Sequence, residues 1–243
     1  MSLNCFEQLK QYFHVSHPRI KLDFKNLYAK LEPFTLVLRQ RFRQYYLPAT
    51  KMAINEMVIL FCGQSRHTLK IRNKPIKEAY KIFALCDYGY TYGFLWYSST
   101  EGIAELTSTP SDLSATSKGV LQLAQLLPPH YRWNLLLDNY FTNLPLFEKL
   151  LELGIGAAGT TRVNSAGFPM SLKIEKEEAK QVLPWGHVSG EIVGNVSALV
   201  WQDNSSVLIM TSYHDISKTV EQLPWRPKKT STNASSFVVS LGT

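Results

Sequence analysis

Apolar and polar positions change rhythm several times along this chain. From Leu9 to Tyr46 apolar residues recur at helical spacing (Leu27, Leu31, Phe34, Leu38, Phe42), which predicts two or three short helices, with Pro33 where one stops and the next begins. Pro48 closes that part. Three runs rich in Ile, Val, Phe and Tyr follow, Met52 to Cys62, Ala79 to Cys86 and Tyr90 to Tyr97, and read as strands, with Asp87-Tyr88-Gly89-Tyr90 as a hairpin turn. Ser111 to Ser117 supplies N-caps for a helix through Val120, Leu121, Leu123, Ala124 and Leu127, which Pro128-Pro129 stops. Trp133 to Leu137 reads as a buried strand ending at Asp138. Asn143 and Pro145 open a helix that runs to the cap Gly154, and Ile155 to Val163 is a further strand, thin in bulk at Gly156 and Gly159.

The resulting order, β-β-β-α-β-α-β, is an α/β plan in which helices cover the faces of a central sheet. Beyond Asn164 the pattern changes to a polar, Lys/Glu-rich stretch (Lys173 to Lys180) and then to two strand-like runs, Val188 to Trp201 and Ser206 to Tyr213, turning at Gln202-Asp203-Asn204-Ser205. From Ile216 to Thr243 the chain is mostly polar and reads as a mobile tail. The expected organisation is therefore a helical segment at 1–48, an α/β core at 49–163, a β-rich part at 164–215 and a tail at 216–243.

Composition narrows the class without changing this outline. With 243 residues, 45% apolar and 19% charged, the chain has the make-up of a folded globular protein and no signature of disorder. The longest apolar run, Met57 to Cys62, is far shorter than the roughly 20 residues of a spanning helix, and the first 25 residues lack the continuous apolar segment of a signal peptide. Three N-x-S/T triplets, at Asn195, Asn204 and Asn233, are then read as chance matches. The cysteines Cys5, Cys62 and Cys86 lack C-x-x-C spacing, which fits a reducing compartment and no disulfide scaffold. A net charge of +7 permits a polyanionic partner. Arg39, Arg41 and Arg43 fit a solvated helix face at least as well as a DNA contact.

Candidate chemistry centres on Asp138, an acid at the carboxyl end of Leu135-Leu136-Leu137. A carboxylate there projects into the crevice where open α/β sheets bind ligands, although Asp-Asn is also a common way to leave a strand. Two-metal phosphodiester chemistry needs several converging oxygen ligands, and one Asp does not supply them. There is no Gly-rich phosphate loop, no G-x-S-x-G elbow and no His pair at ligand spacing; the six histidines are scattered, and His67 reads as a solvated loop residue. A second feature is the basic segment Arg66, Lys70, Arg72, Lys74, Lys77 and Lys81. Extended, Lys70, Arg72 and Lys74 lie on one face, which suits either a phosphate backbone or a charged edge strand guarding against aggregation.

Five ordered motifs, spread from about Leu31 to Ala234, resemble the piggyBac-type transposase-derived proteins, those of fungi in particular. Ile54-Asn55-Glu56-Met57 is similar to the first catalytic strand of that family, and Lys74-Pro75-Ile76-Lys77 through Lys81-Ile82 to its N-K-P-x-K segment. Asp138-Asn139-Tyr140-Phe141-Thr142 is similar to the second catalytic motif, and Gly156 to Arg162 and Thr230-Ser231-Thr232-Asn233 also fit. The resemblance implies a ribonuclease H-like core, preceded by a helical domain and interrupted by a largely β insertion at about Ser165 to Asp215. It implies cut-and-paste DNA chemistry, with three Asp residues holding two Mg²⁺ ions, and nuclear residence. Asp138 takes the place of the second Asp and thus of a metal ligand.

The departures from the pattern are specific. Asn55 stands where the family has its first Asp, in the sense I-D-E-M; an amide brings no charge, and each unit charge pair lost near 4 Å is worth about 4 kcal/mol at an effective dielectric of 20. Glu56 points to the opposite face of a strand and replaces that Asp only through a bulge. The G-G-V-D-like helix carrying the third Asp and the Cys-rich zinc module are not found up to Thr243, so the final core helix is expected to be missing and one sheet face uncovered. Together these imply a catalytically silent remnant with weak, sequence-independent DNA binding through Arg66, Lys70, Arg72, Lys74, Lys77 and Lys81. Two alternatives stand beside it: a domesticated protein-interaction module, such as a homodimer built on the uncovered face, and a fragment of an active Mg²⁺-dependent transposase.

Overall fold

The computed structural model describes residues 1–13, 15–16, 28–61, 65, 67–70, 78–98, 100, 102–103, 112–175 and 183–215. Its elements run α1 (Leu3–Tyr12), α2 (Glu32–Gln44), β1 (Lys51–Leu60), β2 (Leu69–Lys70), β3 (Glu78–Asp87), β4 (Tyr90–Ser98), β5 (Gly102–Ile103), α3 (Ala115–Ala124), β6 (Trp133–Leu137), α4 (Leu144–Glu152), β7 (Ile155–Thr160), β8 (Val188–Val193), β9 (Val196–Gln202) and β10 (Ser206–Thr211). All the strands among the described residues join one sheet, in the order β5-β4-β3-β1-β6-β7-β10-β9-β8, with β2 against β3. β1, β3 and β4 are antiparallel, whereas β6 is parallel to β1 and β7 to β6. Leaving aside the two-residue strands β2 and β5, the elements from β1 to β7 follow the chain order β-β-β-α-β-α-β expected above.

Local sequence explains most boundaries. The β3–β4 turn puts Tyr88 at φ 44° and Gly89 at φ 83°, both positive as a type I′ hairpin turn requires. Ser114 caps α3 by accepting the Ser117 N–H at 3.1 Å, and Pro33 sits in the first turn of α2. Asn143 has a larger part: its Oδ1 accepts the Leu146 N–H at 3.0 Å while its Nδ2 donates to Ser117 Oγ and to the Phe141 carbonyl. Asn143→Ala removes the α4 cap and the α3–α4 tie together, so we expect a loss of about 1–2 kcal/mol in urea unfolding, against a few tenths for an exposed substitution such as Glu148→Ala.

Alternation along the strands divides the core in two. Met52, Ile54, Phe83, Leu85, Leu135 and Leu137 face α3 and α4 and form the main core with Val120, Leu123, Leu146, Phe147 and Leu150. On the other face Ile82, Ala84 and Phe94 pack under Leu38 and Phe42 of α2. Arg39 fixes that helix, its Nε donating to the Phe94 carbonyl at 3.0 Å and its guanidinium lying 5.2 Å from the Phe94 ring. The cover does not reach the middle of the sheet, where Met57, Ile59 and Leu136 remain 40%, 43% and 41% exposed.

Three sequence expectations change. The run Val188 to Trp201 is two strands, because Gly194 (φ 62°) and Asn195 turn the chain back and pair β8 with β9. β7 ends at Thr160 instead of Val163, where the Thr161 N–H goes to the Leu208 carbonyl and the chain leaves the ladder. His67 is buried, not solvated, with Nδ1 3.3 Å from both Ser98 Oγ and Thr100 Oγ1. β10 pairs with β7, so the strands from the β-rich part continue the core sheet. The predicted tail at 216–243 and the stretch 176–180 lie outside the described residues.

Candidate functional site

The parallel register of β1 and β6 builds the site. Ile54 is paired with Leu137, and both are buried against α3 and α4. The next residues are Asn55, still in β1, and Asp138, directly after β6. Strand alternation turns Asn55 to the opposite, exposed face, and Asp138 is exposed at the end of a parallel ladder whose strands lie about 4.8 Å apart. The two positions singled out in sequence, 83 residues apart, are thus neighbours at the carboxyl edge of the sheet.

Backbone geometry sets each side chain. Asn55 Oδ1 accepts the Glu56 N–H at 2.8 Å. Asp138 Oδ1 accepts the Asn139 N–H at 2.6 Å, while its carbonyl takes the N–H groups of Phe141 and Thr142 and the Thr142 hydroxyl. Asp138 is therefore both the acid at the strand end and the residue that starts the tight turn into α4. Gly159 on β7 makes room for this turn, since a Cβ there would collide with the Leu137 carbonyl and Thr142 Oγ1.

Glu56 is committed elsewhere. The β1–β3 register runs unbroken from Ala53 to Leu60, so no bulge turns it toward Asp138. It faces the α3 side, where its Oε1 lies 2.5 Å from Lys81 Nζ. Lys81 is 8% exposed, and its ammonium also lies 4.9, 4.8 and 4.3 Å from the rings of Phe83, Tyr97 and Tyr140. This corrects the sequence reading of Lys81 as a surface cation for DNA: an amine enclosed by a carboxylate and three rings has no face left for a phosphate. Lys70 is exposed on β2, whereas Arg66, Arg72, Lys74 and Lys77 lie outside the described residues.

Sequence reasoning had not given Lys81 and Glu56 their joint role, and it had placed Arg162 inside a strand that in fact ends at Thr160. Arg162 donates from Nε to Asn139 Oδ1 at 3.3 Å, and its guanidinium lies 5.9 Å from the Tyr140 ring, so Tyr140 has two cations near it, Lys81 and Arg162. The visible signals were a Lys at i−2 from the buried Phe83 and an Arg two residues after the β7 strand. As a donor set for the metal ions the resemblance implies, Asn55 and Asp138 offer one carboxylate and one amide. Among the described residues no group of three or more His, Cys, Asp or Glu comes together to hold a metal, so these residues do not fit a two-ion site.

A mixed sheet with an acid at the end of its first parallel neighbour, flanked by two capped helices, defines a ribonuclease H-like fold of the transposase class. The sequence pattern of the family described as Transposase IS4 matches residues 1–237, and the chain belongs to that family, in its piggyBac branch. It is 27% identical over 219 residues to the human PiggyBac transposable element-derived protein 3, a match that covers 87% of this chain and 35% of that protein. The human Chimeric ERCC6-PGBD3 protein matches at 27% over 87% of this chain and 20% of its own length. In structure the chain is similar to piggyBac transposase in a synaptic complex with hairpin DNA, with a TM-score of 0.76 at 20% identity over 93% of this chain and 45% of that one. The chain therefore spans about a third of the first relative and under half of the solved transposase.

Proposed function

We propose that this protein is a transposable-element-derived, DNA-binding member of the piggyBac branch that does not cleave DNA. The observation that carries this reading is the register that sets Asn55 beside Asp138. Where two carboxylates would share metal charge, one is an amide, and the acid next to it in sequence, Glu56, is tied to Lys81. The remaining capability is attraction to the phosphate backbone, supported by the net charge of +7 and by the basic segment of Arg66, Lys70, Arg72, Lys74 and Lys77. In this role the protein resides in the nucleus.

Two measurements test it. Supercoiled plasmid incubated with purified protein and Mg²⁺ or Mn²⁺ is expected to stay intact; nicking that disappears in Asp138→Ala would overturn the catalytic part. Affinity for a short duplex across a salt series is expected to fall steeply, and the triple variant Lys70→Gln, Arg72→Gln, Lys74→Gln to flatten the log–log slope by about 2–3. A slope near zero for the native chain sinks the DNA-binding part.

One observation favours a second reading. Met57, Ile59 and Leu136 make an exposed apolar strip beside Asn55, which suits a protein-interaction module whose interface is this sheet face. A homodimer is the simplest form of it, and a monodisperse monomer at high concentration in sedimentation would exclude that form.

A further inference from the structure

The two edges of the sheet are built differently. One ends in β5, only two residues long, and a very short edge strand is a common guard against pairing with another chain. The other ends in β8, six residues reading Val188-Ser189-Gly190-Glu191-Ile192-Val193, with neither Lys nor Pro to guard it.

The hairpin from β8 to β9 fixes which backbone groups are open. Its two-residue loop, Gly194-Asn195, closes on the pair Val193 and Val196, which exchanges both hydrogen bonds; by antiparallel alternation Glu191–Ala198 and Ser189–Val200 do the same. The His187 carbonyl keeps that rhythm, accepting the Gln202 N–H at 2.9 Å. The N–H and C=O groups of Val188, Gly190 and Ile192 therefore point off the sheet, and no strand among the described residues meets them. The side chains between them are held in place. The Ser171 hydroxyl donates to Glu191 at 2.5 Å, and the Ser189 hydroxyl to Glu175 at 2.5 Å. The strand is thus fixed while its edge is open, and Ile192 is 65% exposed on it.

An open edge of this kind accepts an extended chain, and β8 itself has the matching sequence. Laid antiparallel against a second copy, with the twofold axis at Gly190, every outward residue meets an outward residue: Val188 meets Ile192, Gly190 meets Gly190, and Ile192 meets Val188. One face then gains two Val–Ile pairs, and on the other Ser189 opposes Glu191 of the second copy, so no like charges meet. Gly190 stands at the centre of this register, and a glycine inside a strand weakens it but admits another backbone closely.

We propose that β8 is an interface between two copies of this chain, joined edge to edge so that the sheet continues from one into the other. It is separate from the strip of Met57, Ile59 and Leu136, which lies on β1 and β6 in the middle of the sheet, and it does not rest on the DNA-binding reading.

Sedimentation of the full chain over a concentration series is expected to show a monomer–dimer equilibrium. Gly190→Pro removes an outward N–H, costs the dimer one hydrogen bond from each copy and is expected to raise the dissociation constant roughly tenfold. Proline also strains the strand, so a second pair of variants accompanies it. Val188→Lys with Ile192→Lys sets like charges opposite each other and is expected to be monomeric, as is Val188→Glu with Ile192→Glu; an equimolar mixture of the two is expected to dimerise again. Amide exchange reads the register directly: protection at Val188, Gly190 and Ile192 should rise with protein concentration, while Ser189 and Glu191, bonded to β9, stay protected throughout. A native chain that is monomeric at every concentration overturns the proposal. So does a dimer that the lysine and glutamate variants leave intact, and its loss in Leu136→Lys would then locate the interface on the sheet face.

Discussion

Replacing Glu56 by Ala is expected to destabilise the protein by about 3 kcal/mol, the cost of leaving one member of a largely buried ion pair without its partner. Lys81 keeps the contacts of its ammonium with Phe83, Tyr97 and Tyr140, but aromatic faces are weaker partners than a carboxylate 2.5 Å away. Removing both charges differs from removing one. The double variant Glu56→Leu, Lys81→Met buries apolar groups of similar length among three rings and is expected to lie within about 1 kcal/mol of the native chain, or above it. Urea unfolding of the native protein, the single and the double variant decides the matter. If the single variant costs less than half a kcal/mol, the pair is effectively solvated. Because the Tyr140 ring contacts the Lys81 ammonium, the single variant is also expected to loosen the turn after Asp138, which faster amide exchange at Asn139 and Tyr140 would report.

The second large effect is a gain. Asn55→Asp places a second carboxylate beside Asp138, and two like charges at this spacing lower stability while no cation is present. Added Mn²⁺ is expected to reverse the sign. At a free concentration ten times the dissociation constant, binding to the folded state alone contributes about 1.4 kcal/mol, which is about 3–6 °C in melting temperature for a chain of this size. The native chain and the double variant Asn55→Asp, Asp138→Ala are expected not to move. An equal Mn²⁺ shift in the native protein would mean that the cation binds elsewhere and that the Asn55–Asp138 neighbourhood is not its site.

The core strands were legible because the two periodicities are unmixed there. Trp133 to Leu137 and Tyr90 to Tyr97 are short and β-rich, and they are bounded by residues with one local meaning, Pro128-Pro129 and Asp138 in the first case and Tyr88-Gly89 in the second. Val188 to Trp201 was misread as one strand because a lone Gly-Asn inside a β-rich run is as compatible with a bulge as with a turn; only the pairing of Val193 with Val196 decides it. The positions of Asn55 and Asp138 were legible, but their adjacency came from strand order, which no local pattern encodes. Lys81 was misjudged because lysine is rarely buried and its partner, Glu56, is 25 residues distant. His67 failed for a related reason, since the hydroxyls beside it arrive from the end of β4.

The position of β1 has a further consequence, for the order in which the chain acquires its structure. β1 can pair with β3 soon after both emerge, but its parallel partner β6 follows roughly eighty residues later, and such long closures come late in folding. During synthesis, the hairpin of β1, β3 and β4 thus waits with Met52, Ile54, Phe83 and Leu85 uncovered until α3 and α4 arrive. Ribosome-stalled chains ending near Trp133 should be strong chaperone clients, and chains extended past Thr160 should be released.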